Sequence, residues 1–84
     1  MIRIYWAPDC KYCDIIKDYL ESKDIQYDSI NLAQKENRDA RTFYRGLGIN
    51  VIPVVVGHLD GDEIILSGDC IDELEDLDEL SGRE

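Results

Sequence analysis

The sequence lacks what a membrane, a nucleic acid or a secreted disulfide framework would require. No stretch approaches the roughly 20 apolar residues that cross a bilayer, and the short apolar start at residues 1–6 runs into Pro8-Asp9-Cys10 without a signal-peptide pattern. Positive charge is scarce. Nine Lys and Arg stand against nineteen Asp and Glu, and the net charge of −10 repels phosphate backbones and anionic lipid head groups. Neither nucleic acid nor membrane is therefore expected as a partner, and the chain reads as a cytoplasmic monomer kept soluble by its charge. Cysteine is also sparse: three residues, an odd number, would leave one unpaired in a disulfide framework. A C-x-x-C in a cytosolic chain is better read as redox-active or metal-binding.

The 84 residues allow one domain with one modest core, assigned to residues 1–80, with 81–84 as a flexible C-terminal tail. There are no repeats and no low-complexity segments. Ile2, Ile4 and Trp6 alternate with Arg3 and Tyr5, the period-two signature of a strand, until Pro8-Asp9 interrupts it. From Lys11 the apolar positions Tyr12, Ile15, Ile16, Tyr19 and Leu20 recur at helical spacing, ending at Ser22-Lys23-Asp24. Ile25, Tyr27, Ile30 and Leu32 mark a second strand, reached by a crossover and so parallel to the first.

A second helix is predicted from Ala40, Phe43, Tyr44 and Leu47, ended by Gly46 and Gly48, with Lys35, Arg38, Arg41 and Arg45 facing water. The β-branched run Val51-Ile52-Pro53-Val54-Val55-Val56 fits a strand covered on both faces, with the proline at its beginning. Asp60-Gly61 signals a hairpin turn into Glu63-Ile64-Ile65-Leu66, which makes the sheet mixed. Ile71, Leu74 and Leu77 form a last helical stripe, with Asp69 positioned to cap its first turn. The expected order is βαβ-α-ββα.

Cys10 and Cys13 thus fall at the N-terminus of the first helix, within one turn of each other, where a disulfide closes without large backbone movement. Unpaired N–H groups and the helix dipole favour a thiolate there, most of all on Cys10; cysteines in such sites titrate between about 3.5 and 7.5. Lys11 adds a cation beside Cys10, whereas Asp9 and Asp14 oppose ionisation. Cys13, one turn further in, is expected to be shielded and protonated. Zinc would need four ligands, and only Cys70 and the lone His58 stand ready to complete the set. His58 reads as a solvated loop residue after Gly57. Cys70 reads as a small core residue, with a third redox thiol as the other possibility.

The segment Tyr5-Trp6-Ala7-Pro8-Asp9-Cys10-Lys11-Tyr12-Cys13 resembles the glutaredoxin segment that ends in C-P-Y-C. Val51-Ile52-Pro53 resembles that family's T-V-P, and Ser67-Gly68-Asp69 stands where it has a G-G turn. The resemblance covers nearly the whole chain and implies an α/β thioredoxin fold, a four-stranded mixed sheet flanked by three helices, with a cis peptide before Pro53. Such a bond turns the preceding backbone outward, so that the Ile52 N–H and C=O can pair with an extended substrate.

The family's activity implies a thiol-disulfide oxidoreductase with Cys10 as attacking and Cys13 as resolving thiol. Lys11, Tyr12, Ile52, Pro53, Gly68 and Asp69 would then contact substrate, with no metal and no bound cofactor. Glutathione or a thioredoxin-reductase-type flavoprotein would supply electrons. Ala7 and Asn50 replace the basic residues with which glutaredoxins meet glutathione carboxylates, and Lys11 and Ser67 replace a proline and a glycine. The turn's N–H groups remain available to a carboxylate in this reading. Leu47-Gly48, Pro53-Val54-Val55-Val56 and Ser67-Gly68 with Asp72 are also similar to the glutaredoxin-like donors that reduce ribonucleotide reductase, which makes that enzyme a possible partner. Trp6 and Tyr12 offer a flat apolar rim to a protein substrate. Two rival readings keep the fold: an iron–sulfur or other metal-binding module that uses Cys10, and a non-catalytic interaction domain.

Overall fold

The computed structural model describes residues 2–49 and 51–81. Strand β1 (Ile2–Trp6) leads through Asp9, held at a φ of 60°, into helix α1 (Lys11–Ser22), which returns the chain to strand β2 (Tyr27–Asn31). A 3-10 turn (Lys35–Asn37) opens helix α2 (Arg38–Gly46), and the hairpin of β3 (Val54–Leu59) and β4 (Asp62–Ser67) follows. The sheet order is β2-β1-β3-β4, with β1 parallel to β2 and antiparallel to β3, and β3 antiparallel to β4. This is the expected mixed four-stranded sheet, and the Asp60-Gly61 turn closes the hairpin with both residues at positive φ, 54° and 86°.

Period-two alternation places the two cores. Ile2 and Ile4 of β1 and Val55 of β3 face the side covered by Ile16 and Leu20 of α1 and by Leu74 and Leu77. Tyr5, Val54 and Val56 point to the opposite side, where they meet Leu32 and Tyr44 of α2. Central strand β3 is covered on both faces, as its apolar run predicts, but it starts only after Pro53; Val51 lies outside it and is 56% exposed. A proline has no N–H for the ladder, so the strand cannot begin earlier.

Three local expectations are corrected. The last helix is two short turns, α3 (Ile71–Leu74) and α4 (Asp78–Ser81), and residues 82–84 of the expected tail lie outside the described residues. The N-cap of α3 is Cys70 and no side chain caps it, so Asp69 does not serve there. Phe43 and Leu47 remain exposed, because a nine-residue helix lying on the sheet through Ala40 and Tyr44 turns its i+3 neighbours away. The helix ends as its glycines suggest: Gly48 sits at a φ of 86°, and the Ile49 N–H reaches back to the Tyr44 carbonyl at 3.0 Å.

Candidate functional site

Cys10 is the N-cap of α1, extended at φ −111° and ψ 107°, and its sulfur accepts the Cys13 backbone N–H at 3.2 Å. The sulfur thus stands where a serine or aspartate oxygen normally satisfies an orphan helix N–H. Cys10 and Cys13 form a disulfide with Cα atoms 5.2 Å apart. Their environments differ. Cys13 belongs to the buried stripe Cys13-Ile16-Leu20 and is wholly inaccessible, whereas Cys10 is half-buried. A thiol facing solvent beside a helix N-terminus is exposed to attack or able to attack; one sealed a turn deeper is reachable only from its partner.

Lys11 and Tyr12 lie on the exposed side of α1, and Tyr12 is 42% accessible. Trp6, by contrast, is held in place: its indole N–H donates to Ser29 Oγ at 2.6 Å and Lys17 Nζ sits 3.7 Å from its ring centroid. Its partial packing against the α1 core makes it structural more than a free rim.

The Ile52–Pro53 peptide is cis. Ile52 is half-buried, and among the described residues no backbone hydrogen bond engages it. Gly68, buried at a φ of 71°, donates its N–H to the Pro53 carbonyl at 2.9 Å. That bond corrects one expectation: the Gly68 N–H ties the turn to Pro53 and is not offered to a ligand carboxylate. A Cβ on Gly68 would approach Val51 Cγ1 to 3.2 Å, so Gly68 both permits the turn and lets Val51 lie against it. Asp69 is exposed next to it. Asn50 lies outside the described residues.

Among the described residues, two hollows beside the sheet stand out. The larger, about 570 Å³, opens at the hairpin between His58, Asp78 and Glu79 and the Asp24–Gln26 turn, and none of the cysteines lines it. Size alone therefore does not locate the chemistry. The smaller, about 410 Å³, lies between α2 and the ends of the central strands that adjoin the disulfide loop, with Ala7, Ile52, Val54 and Tyr44 on its floor and Arg41 and Arg45 on its wall. Arg41 is not simply solvated as its spacing suggests: its Nη1 donates to the Leu32 carbonyl at 2.9 Å. The sequence pattern missed this groove because its parts come from segments far apart in the chain, and only the clustering of arginines near residue 40 hints at it.

His58 corrects another expectation. It lies in β3, with its Nδ1 2.6 Å from Glu79 Oε2 and its backbone N–H 3.1 Å from Glu79 Oε1. Asp78 accepts both N–H groups of the hairpin turn, from Asp60 at 3.0 Å and Gly61 at 2.9 Å. These carboxylates fasten α4 to the hairpin. Cys70 is a free core thiol, 3% exposed, and burial, with Glu73 nearby, pushes it up to about 11, so it stays protonated at neutral pH. Among the described residues no group of three or more His, Cys, Asp and Glu side chains could hold a metal ion, and no helix is long and apolar enough to cross a membrane.

Comparison with known proteins agrees with this geometry. The glutaredoxin family model matches residues 2–64. A glutaredoxin-like 8.6 kDa protein from the rubredoxin operon of Clostridium pasteurianum is 36% identical over 67 residues, 77% of this chain and 83% of that one. The gene 56 protein of Mycobacterium phage D29 is 32% identical over 76 residues, covering 89% and 82%. Among solved structures, the glutaredoxin-like protein NrdH-redoxin from Escherichia coli superposes with a TM-score of 0.69 at 28% identity, over 81% of this chain and 82% of that one. With the thioredoxin-like sheet and a C-x-x-C disulfide at the start of α1, these matches place the chain in the glutaredoxin family, as a thiol-disulfide oxidoreductase.

Proposed function

We propose that the chain is a dithiol donor that reduces protein disulfides, acting as a cytoplasmic monomer built from residues 1–80, with Cys10 as nucleophile and Cys13 as resolving thiol. The observation that carries this reading is the asymmetry of the pair: Cys10 half-exposed at the N-cap of α1, Cys13 sealed beneath it. In the reduced protein the Cys10 thiolate, favoured by the α1 N-terminus, attacks one sulfur of a substrate disulfide. A Cys10–substrate disulfide forms and the substrate's other sulfur leaves as a thiolate. The Cys13 thiolate then attacks Cys10 Sγ, which forms the Cys10–Cys13 disulfide and releases the second substrate sulfur. Two electrons and two protons from a reductant restore the dithiol.

Tyr12 and Lys11 border Cys10 on one side. In this reading Ile52, Pro53, Gly68 and Asp69 contact the substrate as well, with the Ile52 backbone supplying the strand-like edge for an extended segment. A thioredoxin-reductase-type flavoprotein is the favoured reductant over glutathione, because Ala7 brings no cation and the Gly68 N–H is already bonded to Pro53. The NrdH-redoxin neighbour is described as having a thioredoxin-like activity profile, which supports the same choice. Ribonucleotide reductase is the substrate that the resemblance to that subgroup names.

The test runs disulfide reduction in parallel with NADPH plus thioredoxin reductase and with glutathione plus glutathione reductase. Turnover with the first and little with the second is expected, and Cys10→Ser abolishes both. Undiminished turnover by Cys10→Ser would falsify the assignment.

A further inference from the structure

The hairpin turn carries a reactive pair that the dithiol chemistry does not use. Of the twelve aspartates in the chain, Asp60 is the one followed by glycine. An aspartyl Cγ lies within reach of the backbone nitrogen of the next residue, and glycine has no Cβ to hinder that approach. Asp60 and Gly61 are both exposed and both held at positive φ, 54° and 86°, in a two-residue turn closed by Leu59 opposite Asp62. The turn lies at the end of β3 away from Pro53 and the disulfide.

Asp78 grips this turn. Its Oδ1 accepts the Asp60 N–H at 3.0 Å and its Oδ2 accepts the Gly61 N–H at 2.9 Å. The second bond engages the nitrogen that would act as nucleophile, and the two together fix the backbone on either side of the Asp60–Gly61 peptide. Asp78 opens α4, and the preceding residue, Leu77, packs over Gly57 of β3. The reactivity of the turn is therefore tied to the docking of a segment 17 residues further along the chain.

We propose that Asp60-Gly61 is a site of spontaneous covalent modification, isomerisation to an isoaspartyl linkage, and that the Asp78 carboxylate restrains it. The Gly61 nitrogen attacks Cγ of the protonated Asp60 carboxyl. An N–Cγ bond forms, a Cγ–O bond breaks, and the carboxyl hydroxyl leaves as water with the proton given up by the nitrogen. Water then opens the five-membered imide at either carbonyl. Cleavage of N–Cγ restores aspartate, whereas cleavage between the nitrogen and the Asp60 backbone carbonyl carbon leaves the chain running through Cβ. No electrons are transferred, and the product has the mass of the starting protein. The extra backbone carbon spoils the two-residue turn, so Asp78 loses its N–H partners and α4 its hold on the hairpin. Cys10 and Cys13, at the other end of the sheet, keep their geometry.

The experiment ages the full chain in mildly acidic buffer made with heavy-oxygen water and maps the label by mass spectrometry, because each imide hydrolysis fixes one heavy oxygen. Electron-transfer fragmentation locates the isoaspartyl residue. Wild type is compared with Asp78→Asn, which keeps one acceptor oxygen, and with Asp78→Ala, which keeps none; each is also aged in denaturing urea. Label and isoaspartate accumulate at residue 60, at rates rising from wild type through Asp78→Asn to Asp78→Ala, the last about tenfold above the first. In urea the three rates converge. Asp28-Ser29, exposed in strand β2, reports any general loosening of the fold and stays unlabelled in all three folded proteins. Aged wild type loses hydrogen-exchange protection in α4 while its disulfide-reduction rate holds. A folded Asp78→Ala rate equal to or below that of wild type, a difference that persists in urea, or labelling of Asp28 as fast as Asp60 overturns the proposal.

Discussion

The two faces of the sheet are built differently. On one, Ile2, Ile4, Ile16, Leu20, Val55, Leu74 and Leu77 are at most 1% exposed and interlock between the sheet, α1 and α3. On the other, the buried set is Tyr5, Leu32, Tyr44, Val54 and Val56, each retaining 2% to 8% exposure, while Phe43 of α2 and Leu47 at its C-cap stay in solvent and a groove opens beside them. The closed face fixes α1 and therefore the two sulfurs. The open face leaves a groove whose lining includes Ala7, three residues before Cys10. One face is closed around α1 and the other stays partly open.

That contrast is broken most severely by truncation on the closed face. Leu74→Ala removes a fully buried side chain under α1 and is expected to cost about 3 kcal/mol in urea unfolding. Phe43→Ala, on the open face and 58% exposed, should stay within about 0.5 kcal/mol. Comparable losses would mean that the open face is not open in solution.

Overpacking comes next. Gly57 lies in β3, where an added Cβ would come within 2.7 Å of Leu77 Cδ1, so Gly57→Ala should destabilise by about 1–2 kcal/mol and loosen α4 first. Hydrogen exchange of the α4 amides gives the check: unchanged protection would show that Leu77 yields without cost.

The smallest effect is one of pH. Burial acts to raise the Glu79 carboxyl, but hydrogen bonds from His58 and from the backbone outweigh it and hold it below its ordinary value; the N–H groups of Gly61 and Asp60 likewise lower Asp78. Groups depressed in the folded state contribute stability above their unfolded pKa and lose it as pH falls through the folded value. Below about pH 4.5 the fastening of α4 should therefore weaken. Protonation also relieves the repulsion of a −10 chain, so the quantity to measure is the difference in urea midpoint between wild type and a Asp78→Asn, Glu79→Gln double variant. That difference should shrink between about pH 6 and pH 3. A pH-independent difference would remove these carboxylates from the account.

What the sequence disclosed was whatever lies close along the chain. The strand before and helix after Cys10-x-x-Cys13, the Asp60-Gly61 hairpin and the strand start set by Pro53 are each encoded within about ten residues by periodicity or turn chemistry. The contacts that were hidden join distant segments. Glu79 reaches His58 across 21 residues and Asp78 reaches Gly61 across 17, and neither pair has a local pattern. His58 consequently read as a loop residue although it is in β3. The bond of the Gly68 N–H is hidden for the same reason, since its partner is the Pro53 carbonyl on the neighbouring segment. Phe43 fits the helical stripe, but the stripe cannot say how much of a nine-residue helix the sheet will cover.

The division of labour between the two thiols is tested most directly by trapping. Reduced Cys13→Ser protein, mixed with a disulfide-containing protein and mapped by mass spectrometry without reductant, should carry the substrate as a mixed disulfide on Cys10, with Cys70 unmodified in its buried position. An adduct on Cys70, or no adduct on Cys10 while the wild-type protein turns the same substrate over, would contradict the account.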